Sequence, residues 1–363
     1  MKIERAVKSD INGIRELWKE GFGESTAFLD FYFPRYFDWE SALISRQDYG
    51  EISASAITAP FEMKLLENFI PATYILGVVT HPSHRKKGLS SALMKESLLR
   101  QKEEGILVST LIPAEPYLFD IYSKYGFGEV FTIKEAIESY KDMKEDLGKA
   151  KIFTKENEIP EALFESLYDF YTDAYKGLDI TLLKSQKDFE LCINEFLVFE
   201  GSIMILSKEG LISAMGFIRD KLSPVYIKEL LSIDAKSKQA LINSVLELNK
   251  MEEILVKSPS EGASSETRLG MARIIDAVKI LELSFLDKDI PLKISISDSL
   301  ISDNNITFSI ENKKLHLWEN EKADFYFTIN EFSSLALRYG LNVESFLSGK
   351  DGLRAYINLL LNE

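Results

Sequence analysis

The chain has 363 residues, 43 basic against 57 acidic, for a net charge of −14. That length allows two or three domains with sizeable cores, and the acidic balance argues against a general nucleic-acid binder. One cysteine, Cys192, excludes an intrachain disulfide framework and a cysteine-based zinc site. The opening M-K-I-E-R-A is charged at once, with no signal-peptide core. No run approaches the roughly 18 apolar residues of a membrane span. The chain reads as a cytoplasmic protein that binds neither membrane nor nucleic acid.

Lys2–Ala6 reads as a short strand. Ser9 is expected to cap a helix with Ile11, Ile14, Leu17 and Trp18 on its apolar face, ended by Gly21 and Gly23. Ser25–Tyr36 is a second helical stretch rich in aromatics. Ala42–Arg46, Glu51–Ala59 and Phe61–Leu65 read as strands of a meander, with a turn at Asp48–Gly50. An apolar, β-branched run from Ile75 to Thr80 follows. It breaks at Pro82, passes through the basic turn Arg85-Lys86-Lys87-Gly88, and becomes a helix to about Glu104 with Leu89, Ala92, Leu93 and Leu98 on one face. A strand feeding a Gly-containing basic turn at a helix N-terminus is suited to phosphates, because the N–H groups there are free and the helix dipole favours an anion. Ile106–Ile112 is another buried strand, Tyr117–Tyr125 a short helix stopped by Gly126-Phe127-Gly128, and Val130–Ala136 the closing strand.

A second unit runs from about Ile137 to Gly270. Pro160–Tyr175 is helical, Gly201–Ser207 and Leu211–Arg219 form a hairpin, and Val225–Ile233 is a strand. It leads through Asp234–Lys238 into a helix at Gln239–Leu248. The order repeats Ile75–Leu98 without the glycine, so this unit is expected to be a degenerate copy that does not bind pyrophosphate. A Ser/Pro/Gly-rich loop at Ser258–Ser265 follows. After it, Leu269–Leu283 is apolar and partly helical. Leu292–Ile296, Ile306–Ile310, Lys314–Trp318 and Asp324–Thr328 predict a small antiparallel sheet, and helices are expected at Ile329–Tyr339 and Gly352–Glu363.

The stretch Arg85-Lys86-Lys87-Gly88-Leu89-Ser90 resembles the acyl-CoA turn of GNAT N-acetyltransferases (Q/R-x-x-G-x-G/A), with Ser90 in place of the usual Gly or Ala. Ile121-Tyr122-Ser123-Lys124-Tyr125-Gly126-Phe127 resembles that family's later L-Y-x-x-x-G-F element. Ala323–Asn330 resembles part of a sterol-carrier-protein-like domain. Together they resemble the Eis-like family. The resemblance implies an α+β fold of two tandem GNAT-like domains, the second degenerate, followed by a small sterol-carrier-protein-like α/β domain. The expected domains are residues 1–136, 137–270 and 271–363.

It further implies acetyl-CoA as co-substrate, no metal, a small-molecule or lysine amine as acceptor, and a homo-oligomer, specifically a hexamer. Val78, Val79 and Thr80 would pair with the pantetheine arm. Arg85, Lys86, Lys87, Gly88, Leu89, Ser90 and Ser91 would hold the pyrophosphate. Tyr122 would protonate the leaving thiolate, since a phenol of pKa ~10 is protonated at neutral pH. The run Thr73–Thr80 holds no Asp or Glu. Glu51 and Glu62 precede it, and nothing in the sequence turns them toward the cofactor. The resemblance instead assigns the base to the chain's own terminal carboxylate at Glu363. An apolar tail would desolvate that group and raise its pKa. Phe22, Glu24, Phe28 and Trp39 are acceptor-site candidates, beside a plain packing role for the aromatics. His81, His84 and His316 show no metal-ligand spacing. The alternatives are a hydrophobic-ligand carrier with a vestigial transferase, and a transferase acting on peptide amines.

Overall fold

The computed structural model describes residues 2–47, 50–156, 159–259 and 266–357. The chain is α+β and divides into two compact units. One is Met1–Val130 with Gly270–Gly349; the other is Phe131–Leu269 with the segment that starts at Lys350.

The first unit opens with β1 (Lys2–Arg5) and α1 (Ile11–Phe22), whose buried stripe is Ile14, Leu17 and Trp18. Ser9 does not cap α1. It lies inside a 3-10 turn, Lys8–Asp10, that shifts the helix start to Asp10. α1 runs through Gly21 and stops at Gly23. Then come α2 (Thr26–Tyr32), β2 (Ala42–Arg46), β3 (Ile52–Leu65) and β4 (Asn68–Thr80). Ser25 caps α2 by accepting the Phe28 N–H at 3.1 Å. The two strands expected at Glu51–Ala59 and Phe61–Leu65 are the single strand β3. Pro60 lies beyond the β2 ladder, which reaches only Ile57, so it interrupts no bond to β2. The turn expected at Asp48–Gly50 lies partly outside the described residues. The strand after it feeds α3 (Leu89–Glu103), β5 (Val108–Leu111), α4 (Leu118–Ser123) and β6 (Gly128–Ser139).

The second unit adds β7 (Lys149–Phe153), α5 (Glu161–Lys176), β8 (Ile180–Leu183), α6 (Gln186–Phe199) and β9 (Ser202–Lys208). It continues with β10 (Leu211–Arg219), β11 (Tyr226–Ser232), α7 (Ala235–Asn249) and β12 (Glu253–Pro259). Ser258 and Pro259, expected in a loop, end β12, and 260–265 lie outside the described residues.

β13 (Thr267–Ile274) and α8 (Ala277–Ser284) divide the apolar stretch that follows. Next are β14 (Ile290–Ser297), β15 (Thr307–Glu311), β16 (Lys314–Leu317), β17 (Phe325–Thr328), α9 (Ile329–Leu337) and α10 (Val343–Ser348). The small sheet is mixed rather than antiparallel, since β14 and β17 pair in parallel. Residues from Gly352 to Ile357 are not the expected helix. Arg354 O accepts the Asp179 N–H at 3.0 Å, and Ala355 bridges Ile180. Alternating edge pairing has replaced helical bonding there.

Each unit carries the same pairing pattern. In the first, β1, β2, β3 and β4 are antiparallel neighbours, β4 and β5 are parallel, and β13 closes antiparallel on β5. In the second, β7, β9, β10 and β11 are antiparallel neighbours, β11 and β12 are parallel, and β6 closes antiparallel on β12. In both, a helix follows the fourth strand: α3 after β4, α7 after β11.

The core of the second unit contains a titratable cluster. Tyr175 donates to fully buried Glu229, and Lys184 donates to the Tyr171 hydroxyl at 2.9 Å. Burial pushes the Glu229 carboxyl up to about 7, against the opposing pull of the Tyr175 hydroxyl and Lys184. Its ordinary value is 4.5. The folded protein therefore retains this proton where the unfolded chain loses it, and stability falls as pH rises through that window. Glu229→Gln, whose amide oxygen still accepts from Tyr175, should flatten the fall and add on the order of 2–3 kcal/mol at pH 8. Urea unfolding at a series of pH values measures it. A variant with the wild-type slope would show that Glu229 is ionised in the core.

Candidate functional site

The site is built on β4. Its pairing with β3 shifts between Val79↔Ser55 and Leu76↔Ile57, so Gly77 and Val78 together oppose Ala56. This is a β-bulge, which bends the strand. Gly77 has φ +60°, and a Cβ there would stand 2.4 Å from the Trp18 ring, so only glycine permits both the backbone conformation and the approach of α1. On its other side β4 pairs with β5 only at Ala72, Thr73 and Tyr74. β5 ends at Leu111, leaving the 75–80 edge of β4 without a β5 partner. An extended, amide-bearing ligand can add to such an edge as a strand would.

β4 then runs into the turn. Lys86 has φ +64° and Gly88 φ +77°. Gly88 is the N-cap of α3 and makes no side-chain cap bond. The N–H groups of Leu89, Ser90 and Ser91 thus have no intrahelical acceptor. They can bind an anion, assisted by the helix dipole and by exposed Lys86 and Lys87. Ser90, the departure from the family pattern, bonds Thr80 through its hydroxyl at 2.8 Å and ties the helix start to the strand end. Arg85 is turned the other way. Its guanidinium donates to Thr80 O at 3.3 Å and Gly21 O at 3.0 Å, which fastens the turn to α1.

Val78 and Tyr122 pack against one apolar cluster that includes Ile75, Met94, Phe119 and Phe127. The cluster places α4 beside the open side of β4. The Tyr122 ring meets Phe127 edge-on at 6.2 Å. Burial, then Tyr117 and Tyr125, raises the Tyr122 hydroxyl above the usual tyrosine range, so it stays protonated at neutral pH. Val79 is buried on the opposite face.

The acceptor candidates separate. Phe28 is buried and stacks on Tyr32 at 5.5 Å, within an aromatic group joined by Trp18 and Phe33. Its surroundings are those of a packing residue. Phe22 is 48% exposed and meets Trp18 edge-on at 5.6 Å. Glu24, between α1 and α2, is half-buried, and burial raises its pKa. Trp39 lies in a 3-10 turn before β2. Glu62 is exposed and opposite Pro71, well down β4 from the bulge. Glu363 lies outside the described residues.

Three positions carry weight that the motifs do not reveal. Trp18 lies over the bulge. Asp234 caps α7 by accepting the Ser237 N–H at 2.7 Å, and α7 begins at Ala235 rather than Gln239. The second unit therefore fills with its own carboxylate the helix end that Gly88 leaves open. The run Asp-x-x-Ser before an apolar helix signals such a cap. Arg273, 1% exposed, pairs with Asp298 at 2.6 Å and donates to Tyr125 O, which fixes the end of α4 three positions beyond Tyr122.

Residues 2–130 match the family described as "Acetyltransferase (GNAT) domain". Over this stretch the chain is similar to that family. An uncharacterized N-acetyltransferase of Streptomyces avermitilis is 42% identical over 82 residues, 22% of this chain and 19% of that one. Another from Streptomyces griseus is 44% identical over 59 residues, 16% of this chain and 14% of that one. The chain thus aligns with less than a fifth of the length of these curated relatives. Over nearly its whole length it shares a fold with a GCN5-related N-acetyltransferase from Anabaena variabilis (TM-score 0.76, 15% identity, 98% of each chain covered). It likewise shares a fold with Eis1 from Mycobacterium abscessus (TM-score 0.73, 13% identity, 98% of this chain and 97% of that one). Among the described residues no helix is long and apolar enough to cross a membrane.

Breaking a buried ion pair by removing one partner costs about 3–5 kcal/mol. Arg273→Met should destabilise the protein by that order in urea unfolding. A loss below about 1 kcal/mol would show that Asp298 is satisfied by its Asn304, Leu300 and Ile301 donors alone.

Proposed function

We propose that the protein is an acetyl-CoA-dependent N-acetyltransferase for primary amines of a multi-amine acceptor, an aminoglycoside or a lysine side chain. The observation that carries this reading is the unpaired edge of β4 running directly into an uncapped helix start at Gly88. The edge suits the amide-bearing pantetheine arm and the helix start suits the pyrophosphate. The residues fit the co-substrate in chemistry as well as shape: free N–H donors and two lysines stand together on a chain of net charge −14.

Val78, Val79 and Thr80 hold the arm. Gly88, Leu89, Ser90 and Ser91 hold the pyrophosphate through backbone N–H groups, with Lys86 and Lys87 adding charge and Arg85 positioning the turn. The acceptor amine attacks the thioester carbonyl in a ternary complex. The carbon–sulfur bond breaks, and Tyr122 gives its proton to the leaving thiolate. The base is the terminal carboxylate at Glu363, a role taken from the Eis-like resemblance. It is supported by the absence of carboxylates from Thr73–Thr80. Glu24 and exposed Phe22 are the acceptor-binding residues that suit an amine partner, with Trp39 beside them, while buried Phe28 packs behind. The resemblance also supplies the finer assignments: residues 271–363 as the sterol-carrier-protein-like domain, a hexameric assembly and a cytoplasmic location.

An acetyl-CoA consumption assay across aminoglycosides, polyamines and lysine peptides tests the activity. Turnover only with peptides would replace the acceptor class, and failure to bind acetyl-CoA in calorimetry would remove the reading. Tyr122→Phe should lower kcat by about 10²–10⁴-fold with acetyl-CoA affinity unchanged. Removal of Glu363 should do the same, and a normal rate in the shortened enzyme would eliminate the terminal base.

A further inference from the structure

Two of the chain's three histidines stand together just outside the phosphate turn. His81 follows the last residue of β4, and His84 ends the 3-10 turn Pro82–His84. Their ligand atoms and a carboxylate oxygen of Glu51, which precedes β3, all lie within 4.8 Å of one another. A fourth donor is close: Glu20 Oε2, on α1, is 2.5 Å from His81 Nε2. The group borders a cavity of ≈ 390 Å³ that Glu16, Glu20, Glu51 and His81 help to line, so an ion has both access and a negative surround.

The rings are oriented rather than loose. His81 Nδ1 accepts the Ser83 N–H at 3.2 Å and lies 2.7 Å from the Ser83 hydroxyl. Lys87 Nζ, which can only donate, lies 3.3 Å from His84 Nδ1. Both rings are therefore held from the Nδ1 side and turn Nε2 toward a carboxylate, Glu20 for His81 and Glu51 for His84, the latter at 3.7 Å. A metal-bound histidine donates its second N–H, so an ion at Nε2 would exchange these accepting contacts at Nδ1 for donating ones.

We propose that His81, His84 and Glu51, with Glu20 as fourth donor, form a site for a divalent transition-metal ion of the zinc class. Two imidazoles and two carboxylates are an ordinary donor set for such an ion. Bonds of about 2.0–2.1 Å would draw the donors to roughly 3.3 Å from one another. Rotation of the exposed Glu20 and Glu51 side chains supplies that movement. Coordination through Nε2 moves each ring's proton to Nδ1. His81 then gives up the Ser83 N–H it accepts and donates to the Ser83 hydroxyl instead, and His84 can no longer accept from Lys87. The ion therefore releases Lys87 toward the turn, a consequence that rests on the function proposed above; the site itself does not.

The test uses the untagged full chain, stripped with a chelator and without acetyl-CoA, so its outcome is independent of the transferase reading. Titration with Zn²⁺ by calorimetry, and with Co²⁺ by visible absorption, should give one ion per chain. His81→Ala and His84→Ala should each weaken binding by about tenfold or more, Glu51→Gln should weaken it as well, and His316→Ala should leave it unchanged. Circular dichroism checks that each variant is folded. Lys87→Met should tighten binding, since nothing then competes for His84 Nδ1. Absence of stoichiometric uptake, or wild-type affinity in both histidine variants, overturns the site. Affinity in Lys87→Met no tighter than wild type overturns the link to the turn.

Discussion

The first unit depends on where β4 and β5 part. They pair at Ala72, Thr73 and Tyr74 and then separate. The bulge at Gly77 bends β4 while Trp18 occupies the space a side chain would need. A parallel ladder that continued would satisfy those backbone groups internally and leave nothing for a ligand. A ladder that ends early leaves donors and acceptors on a rigid strand, flanked by α4 on one side and followed at once by the start of α3.

The second unit shows how one scaffold can carry two different helix starts. It has the same succession of pairings, and a helix again follows the fourth strand. The difference lies at the helix start. Gly88 has no side chain to satisfy the free N–H groups of α3, and lysines stand beside it. Asp234 satisfies α7 itself and puts a carboxylate where an anion would come; the Ser237 N–H holds that carboxyl below its usual range. One residue reverses the electrostatics of an otherwise similar helix end.

Burial shapes the proton chemistry of both units in different ways. Tyr122 lies against an apolar cluster, and desolvation keeps its proton on. Glu229 is deeper, and the same effect holds its proton from the usual carboxylate range up to about pH 7 beside Tyr175. Tyr122 borders the open strand; Glu229 is sealed in a core and bears on stability.

Local chemistry was legible in the residues themselves. The apolar stripe of α1, the strand–turn–helix at Ile75–Leu98, the hairpin of β9 and β10 and the order of the elements up to β6 all follow from periodicity and turn residues. The turn's capacity for an anion follows from Gly88 and its lysines. What pairs with what did not follow. β13 lies far along the chain from β5, yet closes on it, and Arg273 reaches from that strand to Tyr125 O. The last described residues, apolar enough for a helix, instead form an extended edge beside Ile180. His81 and His84 gain carboxylate partners only when α1 and the start of β3 fold against them. Helices and turns are decided by contacts a few residues apart, which a sequence displays. Strand partners, buried ion pairs and converging ligands are decided by surface burial between distant segments, and only the folded chain brings those surfaces together.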